Sequence, residues 1–406
     1  MLNVWTPRTT GKRPVMVWIH GGGFSFGAAN DVYYDGTGLA RNEDVVVVSL
    51  NHRLNGFGYL NLGPQGPSGT ANVGQLDIVQ ALTWVRDNIA QFGGDPGNVT
   101  VFGQSGGGAK IATLMAMPAA RGLFHKAIIE SGAMTEFETP DAALAQRDKV
   151  LAELGIAPAD VMKLRDVPLA KLTEAFDKAG VLAFKPWVDG DVIPTQPASS
   201  TGIEVPLLIG TARDEATVML VGNPAWLKMD EPMVRMAIAP LVGARNVDRA
   251  MTLYKARRSQ DGPPQIYASI FTDYGFTHNA DVLAVREAAR PGANVWRYRT
   301  DWRTPVLDGI LRSPHGVELP FVFDTVAAAP ELVGTAPQPA MVAIFQHTFA
   351  AFARTGDPNV SGLPTWPRFD PARRTTFVYD SKPHVLVDPD AEIRQFWQEV
   401  AKTPAS

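Results

Sequence analysis

The sequence predicts an α/β fold in which a mostly parallel central sheet is flanked by helices. Four short runs are almost continuously apolar and rich in β-branched residues: VMVWIH from Val15, VVVVSL from Val45, NVTVFG from Asn98 and KAIIES from Lys126. Parallel strands that are covered on both faces have this composition. Helical patterns and Gly, Asn or Pro residues separate the runs, which is typical of alternating strand and helix units.

A long amphipathic helix is predicted before the third of these strands. Apolar residues recur at helical spacing through QLDIVQALTWVRDNIAQF, at Leu76, Val79, Leu82, Val85 and Ile89. Two glycines follow at positions 93 and 94, and glycine is a common signal for the end of a helix.

The remainder of the chain adds helical stretches to the strand pattern. Residues 141–185 and 224–292 have helical patterns, whereas PLLIGTARDE from Pro206 and NVWRYRTDW from Asn294 predict further strands. An amphipathic helix is predicted in MVAIFQHTFAAFARTG and ends at Gly356. No internal repeat or low-complexity tract interrupts this pattern. We therefore expect one domain over residues 1–406, in which the two helical stretches form a cap above the ligand site.

Composition excludes several classes of function. With a formal net charge of −4 and scattered Lys and Arg residues, we expect no nucleic acid partner. The lack of cysteine excludes a disulfide, a thiolate metal site and a cysteine nucleophile. No apolar run reaches the roughly 20 residues of a membrane span, and MLNVWTPRTT lacks the features of a secretory signal. We expect a cytoplasmic protein with no membrane partner, either monomeric or weakly homo-oligomeric.

The stretch NVTVFGQSGGGAKIATLMAMP predicts a nucleophile elbow. Gly103, Ser105 and Gly107 form a Gly-x-Ser-x-Gly pattern between a strand and a helix. The turn is so sharp that the serine backbone is strained and a Cβ two residues away would collide with neighbouring backbone. The helix that follows directs its amino end, which favours negative charge, at the site. A purely steric strand-to-helix turn is the alternative, but the flanking elements favour a nucleophile.

A serine nucleophile needs a histidine base that is oriented by a carboxylate, and the chain has seven histidines. Six lie near predicted strands, in helical patterns or in a polar stretch near the end: His20, His52, His125, His278, His347 and His384. His315 differs because RSPHGVELPFVF places it in a Pro-His-Gly turn, where a loop can present an imidazole. This position also fits the hydrolase order of serine, acid and histidine.

Asp214 and Glu215 are the candidates for the acid. Both follow the strand in PLLIGTARDEATVML and lie between the serine and the histidine. One would orient the imidazole, while the other would be a solvated charge at a helix start. The chemistry of the residues leaves both open.

An oxyanion hole is predicted in HGGGF, from His20 to Phe24, because this motif follows a strand. Its glycines let the backbone approach a substrate and point successive N–H groups at one oxygen. A merely flexible loop is the alternative, which the entropic cost of glycine disfavours. No Gly-Lys-Ser/Thr follows to hold a phosphate, and no His/Asp/Glu cluster has the spacing of metal ligands. We therefore expect no metal and no cofactor.

A series of segments resembles the type B carboxylesterase family, which includes cholinesterases and bacterial esterases that act on p-nitrobenzyl esters. In chain order these segments are LNVWTP, PVMVWIHGGGFSFG, NHRLNGFGYL, ALTWVRDNIAQFGGDPGNVTVFGQSGG, RGLFHKAIIESGA, VDGDVIP, IGTARDE, SPHGVELPFVF and WPRFDPARR. The resemblance implies an α/β-hydrolase fold and hydrolysis of small carboxylic esters through an acyl-enzyme. It implies Ser105 as the nucleophile, Glu215 rather than Asp214 as the acid, and His315 as the base.

The same resemblance implies further roles. Gly22, Gly23 and Gly106 are expected to be the oxyanion donors, and Arg53 and Asp77 to form a buried structural ion pair.

Two features depart from the family pattern. Relatives usually carry a substantial segment before LNVWTP that adds a hairpin at the edge of the sheet, so we expect an exposed edge that favours association and lowers stability or activity. Gln104 stands where the family typically has a glutamate beside the nucleophile, so one negative charge near the acyl site is absent. We therefore predict a weak preference for cationic, choline-like esters.

The residues that line the substrate pocket are less well defined by the sequence. Phe24, Phe26, Trp187 and Phe321, with Gln104, are candidates, although aromatic residues near a core are as often plain packing. Three other functions remain as alternatives: a binding module on the same fold, an amidase with the same triad, and an inactive truncated relative. The filled triad positions favour the esterase over the binding module.

Overall fold

Strands and helices alternate along most of the chain, of which the computed structural model describes residues 1–67, 69–180, 182–199 and 202–402. The strands are β1 (Leu2–Trp5), β2 (Arg13–Ile19), β3 (Val46–Leu50), β4 (Gly94–Gln104), β5 (Lys126–Glu130), β6 (Leu207–Ala212), β7 (Val295–Thr300), β8 (Thr375–Tyr379) and β9 (His384–Val387). The α-helices are α1 (Thr37–Glu43), α2 (Asn55–Tyr59), α3 (Val73–Asn88), α4 (Gly106–Ala116), α5 (Pro140–Glu153), α6 (Leu169–Ala179), α7 (Ala216–Leu220), α8 (Glu231–Val242), α9 (Val247–Arg257), α10 (Pro263–Thr272), α11 (His278–Ala288), α12 (Leu319–Phe323), α13 (Pro330–Val333), α14 (Pro339–Thr355) and α15 (Ala391–Ala401).

Backbone contacts group the chain into two compact units. The first comprises Met1–Asp31, Asp44–Ile129 and Met134–Val205, and the second comprises Val32–Glu43, Glu130–Ala133 and the chain from Pro206 onward. The single domain over residues 1–406 and its cap stay a prediction. Residue 181 of the expected helical stretch and the last four residues of the chain lie outside the described part.

The strands of the first unit pair mainly in parallel. β2 pairs in parallel with β3, with Val15 opposite Val46, and with β4, with Val17 opposite Val101. β1 adds an antiparallel strand to the other side of β3. The seven residues of β2 are buried except one, as are all five of β3, which explains their continuous apolar composition. The parallel α/β pattern predicted from the sequence is confirmed.

Helix α3 follows the predicted periodicity in part, because Leu82 and Val85 are buried whereas Leu76 and Val79 are half-buried. Its buried residues include Ile78, Leu82 and Val85, which are spaced to lie on one face. The chain leaves the helix through a short 3-10 turn, Ile89–Phe92, and then adopts a left-handed backbone at Gly93 with φ of 77°. Glycine accepts this conformation without steric cost, so the expected stop signal acts where it was predicted.

The second unit repeats this organisation with its own strands. β7 pairs in parallel with β6, with Leu207 opposite Val295, and with β8, while β9 lies antiparallel to β8. Helix α14 packs Phe345 against Tyr379 of β8, with the ring centroids 4.0 Å apart and nearly parallel. Helices α8 to α11 occupy most of residues 224–292, as their pattern indicated.

One expectation about the ion pair between Arg53 and Asp77 is wrong. The pair forms, with Nη2 of Arg53 2.6 Å from Oδ1 of Asp77, and the Arg53 amide also donates to this carboxylate. It is not buried, because 55% of the arginine side chain is exposed. The pair therefore pins the segment after β3 to helix α3 through directed hydrogen bonds on the surface.

Candidate active site

Ser105 lies at a sharp junction between β4 and α4. Strand β4 ends at Gln104 and helix α4 begins at Gly106, so a single residue makes the turn. Its φ of 56° and ψ of −125° lie outside the regions that L-residues favour, and its side chain remains partly exposed. Such strain persists only where the surrounding structure enforces it, and it is frequent at nucleophiles.

Two glycines allow the close backbone approach that enforces this turn. A Cβ on Gly103 would lie 2.6 Å from the carbonyl oxygen of Ile19 and 2.8 Å from the backbone of Gly107. A Cβ on Gly107 would overlap the same carbonyl oxygen. Strand β2 and the first turn of α4 are therefore packed backbone to backbone, and the steric reason given for these glycines from the sequence is present in the fold.

The glycine loop after β2 lies against the elbow. Gly22 and Gly23 have left-handed φ values of 82° and 59°, and the carbonyl of Gly22 accepts the amide hydrogens of Ser25 and Phe26 in a tight turn. A Cβ on Gly106 would overlap the backbone of Gly23, so the loop touches the start of α4. Within the described structure, the amides of Gly22 and Gly23 donate to no protein acceptor. The first amide of α4 has no intrahelical acceptor either.

Three ionisable side chains are buried behind this loop. The rings of His20 and His52 stack 4.8 Å apart at an interplanar angle of 8°. Lys110 of α4 is completely buried, and its ammonium donates to the carbonyl oxygen of His20 over 3.0 Å. Burial, followed by the charge of Lys110, lowers the pKa of His20 to about 4, and the same two causes lower the pKa of His52 well below its usual value. Both imidazoles are therefore neutral at pH 7.

In the second unit, Glu215 and His315 form a hydrogen-bonded pair. Oε2 of Glu215 lies 2.5 Å from Nδ1 of His315, and Oε1 accepts the amide hydrogen of Ala212 over 2.7 Å. The carboxyl group is fully buried just after β6, whereas 12% of the imidazole is exposed. The ring of Phe276 lies 4.9 Å from the imidazole. In the described part of the chain, Nε2 of His315 has no hydrogen-bond partner and is available to another group.

Asp214 has a different environment from its neighbour. Its carboxylate lies 3.8 Å from Arg258 and 3.7 Å from Arg312, and in the described structure it makes no contact of this kind with a histidine. The residue chemistry left Asp214 and Glu215 open as the acid. The geometry pairs Glu215 with the imidazole and Asp214 with arginines.

The other histidines occupy structural positions. His347 of α14 also contacts a carboxylate, since its Nδ1 lies 2.6 Å from Oε1 of Glu43, but 58% of this histidine is exposed. His125 accepts the amide hydrogen of Val99, and His278 lies beside the ring of Trp397. The pair of His347 and Glu43 provides a matched control for the pair of His315 and Glu215.

Two further carboxyl groups are buried in the second unit. Burial raises the pKa of Glu130 well above its usual range, and the charge of Glu318 acts in the same direction. Burial, followed by the charge of Glu215, raises the pKa of Glu318 to about 8. Two buried carboxyl groups beside a third are stable only when protons reduce their repulsion.

Comparison with known proteins bears on the whole chain. The model of the carboxylesterase family matches residues 1–397. The chain is 38% identical to the para-nitrobenzyl esterase of Bacillus subtilis (strain 168) over 412 residues, covering 97% of this chain and 81% of the relative. It belongs to the carboxylesterase family. It is also 35% identical to the phenmedipham hydrolase of Pseudarthrobacter oxydans, covering 91% of this chain and 77% of that protein.

Solved structures of this carboxylesterase family show the same fold. A PNB esterase superposes with a TM-score of 0.84 at 35% identity, covering 97% of this chain and 84% of that one. A carboxylesterase of Geobacillus stearothermophilus superposes with a TM-score of 0.86 at 37% identity, covering 98% and 85% of the two chains. The predicted α/β-hydrolase fold is confirmed, and the chain is a carboxylic ester hydrolase.

The candidate pocket residues of this carboxylesterase are largely buried. Phe24 packs edge-on against Tyr59 with centroids 5.1 Å apart, and Phe321 is fully buried between Trp302 and Phe345. The backbone of Trp187 exchanges hydrogen bonds with the side chain of Asn72. Gln104 is 4% exposed, and Phe26 is 56% exposed. This packing favours the core interpretation for Phe24 and Phe321, and a contact with substrate stays a prediction.

Three ionisable residues of this carboxylesterase are buried although the sequence did not lead us to predict it. Lys110, Glu130 and Glu318 are almost or completely inaccessible. A usable signal was present, because Glu130 ends the apolar run KAIIE and Lys110 interrupts the apolar pattern of α4. A charged residue within a continuously apolar element is costly to bury and therefore indicates a special environment.

In the residues that the structure describes, no group of three or more His, Asp or Glu side chains could hold a metal ion. No described helix is long and apolar enough to cross a membrane.

Gly107→Ala is expected to destabilise the fold. The added methyl group would overlap the carbonyl oxygen of Ile19, so β2 and α4 must separate, at a cost of about 3 kcal/mol or more. Thermal unfolding followed by circular dichroism measures this change. Gly222→Ala is the matched control, because nothing lies within 4 Å of its Cβ position. Equal melting temperatures for the two variants would contradict the close approach.

Glu318→Gln is expected to change how stability depends on pH. The folded pKa of Glu318 is raised from 4.5 to about 8, so its contribution to stability is complete below pH 4.5 and is lost as pH rises through about 8. Because glutamine cannot ionise, the variant should gain stability relative to wild type as pH rises across this window. Melting temperatures at several pH values measure the difference, with the exposed Glu331→Gln as control. A difference independent of pH would show that Glu318 ionises normally.

Proposed function

We propose that the chain hydrolyses carboxylic esters by two-step acyl transfer, with Ser105 as nucleophile, His315 as general base and Glu215 as the orienting acid. The observation that carries this proposal is the hydrogen bond from His315 to the buried carboxylate of Glu215, which leaves Nε2 without a partner among the described residues. This is the arrangement a general base needs, since the carboxylate fixes the tautomer while the other nitrogen receives a proton.

In the first step, Nε2 of His315 removes the proton of the Ser105 hydroxyl as its oxygen attacks the ester carbonyl. The carboxylate of Glu215 stabilises the imidazolium that results. The imidazolium then returns the proton to the departing alcohol, and the acyl group remains on Ser105. In the second step a water molecule, deprotonated by the same imidazole, attacks the acyl group, and the imidazolium returns the proton to the Ser105 oxygen as the acid leaves.

The negative charge that develops on the carbonyl oxygen requires donors that are already in place. The amides of Gly22, Gly23 and Gly106 are suited to this role, since the glycine loop touches the start of α4 and the loop amides have no acceptor in the described part of the chain. The amino end of α4 adds a favourable dipole. Because these donors are backbone groups in a packed loop, they need little reorganisation during the reaction.

The proposed substrates are small neutral carboxylic esters that carry an aromatic group. The relatives include a para-nitrobenzyl esterase and a phenmedipham hydrolase, whose names indicate aromatic substrates. Gln104 leaves the position next to the nucleophile uncharged. An amide substrate is the second candidate for the same chemistry, and comparison of an ester with its matching anilide separates the two.

Loss of the triad residues should abolish turnover. We expect Ser105→Ala and His315→Ala to reduce kcat for p-nitrophenyl butyrate by about 10⁴-fold or more, and Glu215→Gln by about 10³- to 10⁴-fold, because the imidazole loses its orientation. Titration with an organophosphate should inactivate the wild type with one equivalent bound per chain. His347→Ala and Glu43→Gln, which remove the other histidine–carboxylate pair, should leave kcat within about twofold of wild type. Undiminished hydrolysis by Ser105→Ala would refute the assignment.

The neutral Gln104 should make the enzyme a poor choline esterase. We expect kcat/KM for butyrylthiocholine to be far below that for p-nitrophenyl butyrate, because no negative charge beside the nucleophile attracts the cation. Gln104→Glu should raise the ratio of the two values by about tenfold through Coulomb attraction. Equal kcat/KM values for both esters in the wild type would contradict this prediction.

A further inference from the structure

Lys110 is a buried cation to which the proposed mechanism assigns no role. None of its surface is exposed, although it lies on α4 only one turn after the first residue of that helix. Helical side chains point back towards the amino end of their helix, so Lys110 reaches towards the elbow rather than away from it. Its ammonium donates to the carbonyl oxygen of His20 and lies 5.6 Å from the centre of the Phe24 ring.

Lys110 has no compensating negative charge among the described residues. No described carboxylate forms an ion pair with it. The ionisable groups that face it are His20, from the segment after β2, and His52, from the segment after β3; burial is the main cause that lowers the pKa of each, followed by the charge of Lys110. Gln104, at the end of β4, is neutral. An unpaired ammonium in such a site destabilises a fold, so packing does not explain it.

Two hydrogen bonds connect the side chains of Lys110 and His20 to the backbone that leads into the glycine loop. The ammonium of Lys110 binds the carbonyl of His20, which belongs to the peptide leading into Gly21. Nδ1 of His20 lies 3.0 Å from the carbonyl oxygen of Gly21, which belongs to the next peptide. Since a carbonyl only accepts, Nδ1 must carry the hydrogen in this bond. That second peptide contains the Gly22 amide. The carbonyl groups of both peptides before the proposed oxyanion donor therefore accept a hydrogen bond from a buried side chain.

We propose that Lys110 is a positioning residue of the oxyanion hole, which fixes the peptides before Gly22 through the His20 carbonyl and supplies a positive charge that favours the oxyanion. This inference rests on the proposed function, because it requires an oxyanion at the loop. It goes beyond the triad because it assigns part of the transition-state stabilisation to a side chain that touches neither substrate nor triad. A preorganised cation in a dry site acts more strongly on developing charge than one in water.

The neutral residue at position 104 is consistent with this arrangement. A glutamate there would lie at the end of β4, directly before the nucleophile, and would oppose a developing oxyanion. Gln104 removes that charge, and a Cβ on Gly21 would lie 3.0 Å from the Gln104 carbonyl, so the loop and the strand end are in contact. The site therefore combines a buried cation with an uncharged side chain before the nucleophile, and both favour negative charge at the loop.

The ionisation of Lys110 gives this role a pH signature. Burial lowers the pKa of Lys110 from 10.5 to about 7, so the ammonium is the main form below pH 7 and the neutral amine above it. Stabilisation of the oxyanion by charge should therefore weaken as pH rises through about 7. The requirement for a neutral general base acts in the opposite direction, at the acidic end of the profile.

The test compares kcat and KM for p-nitrophenyl butyrate across pH about 5.5 to 9.5 in four proteins. These are the wild type, Lys110→Met, Lys110→Arg and the control Lys126→Met. Lys126 is also a largely buried lysine of the first unit, but its ammonium binds the side chain of Asn98 instead of the loop. Methionine preserves the apolar stem without the charge, and arginine keeps a charge that does not titrate in this range.

We expect Lys110→Met to lower kcat by about tenfold at pH 6, with KM within about twofold, because only the transition state carries the oxyanion. The ratio of wild type to Lys110→Met should fall towards unity as pH rises to about 9. Lys110→Arg should restore kcat and keep it high at alkaline pH, while Lys126→Met should follow the wild-type profile. Retained kcat in Lys110→Met, or a ratio that is constant with pH, would overturn the role of the charge.

A stability measurement on the same proteins shows whether each variant is folded. Because the pKa of Lys110 is lowered on folding, the penalty for burying its ammonium is greatest below pH 7 and disappears above pH 10.5. Lys110→Met should therefore melt at a higher temperature than the wild type at pH 6, and this advantage should shrink at alkaline pH. If the wild type shows no hydrolysis that depends on Ser105, the proposed function fails and this inference fails with it. If hydrolysis depends on Ser105 but the ratio stays constant, only this inference fails.

Discussion

The carbonyl oxygen of Ile19 and the two glycines that face it, Gly103 and Gly107, determine the geometry of the nucleophile half of the site. No side chain can lie between β2, β4 and the start of α4, because any Cβ at either glycine would meet this carbonyl. The chain must therefore reverse within one residue, which places Ser105 in a backbone conformation that it would not adopt alone. The same approach brings the end of β2, and with it the glycine loop, against the first turn of α4.

This constraint also explains which parts of the site could be predicted from the sequence. The elbow and the glycine loop are recognisable because backbone proximity demands glycine at fixed positions, and that demand is visible without a structure. His315 was recognisable from its Pro-His-Gly turn and from the order of serine, acid and histidine along the chain. The chemistry of the residues left Asp214 and Glu215 open, and only the family resemblance implied Glu215, because Arg258 and Arg312 are remote in sequence and meet Asp214 only in the fold. Local pattern carries no information about such partners.

The burial of charged residues could not be predicted from the sequence either. Arg53 and Asp77 were expected to be buried, and their pairing is correct while their environment is not. The opposite applies to Glu130 and Glu318, whose charged character suggests solvent but which are inaccessible. Strand β5 is buried as a whole, and a glutamate at its end follows the strand into the interior. Burial is set by the element that carries a residue, whereas the sequence reports only the residue's own preference.

Several unfavourable features of the first unit lie at the candidate site. Ser105 is strained, Lys110 is an unpaired buried cation, and Nε2 of His20 and of His52 have no hydrogen-bond partners in the described chain. By contrast, the interior strands β2 and β3 are mostly apolar and pair regularly with each other. Features that lower stability are retained where another benefit offsets them, and these cluster around a single loop and a single turn. Their common position, behind the amides of Gly22 and Gly23, argues that the offsetting benefit is stabilisation of negative charge at that loop.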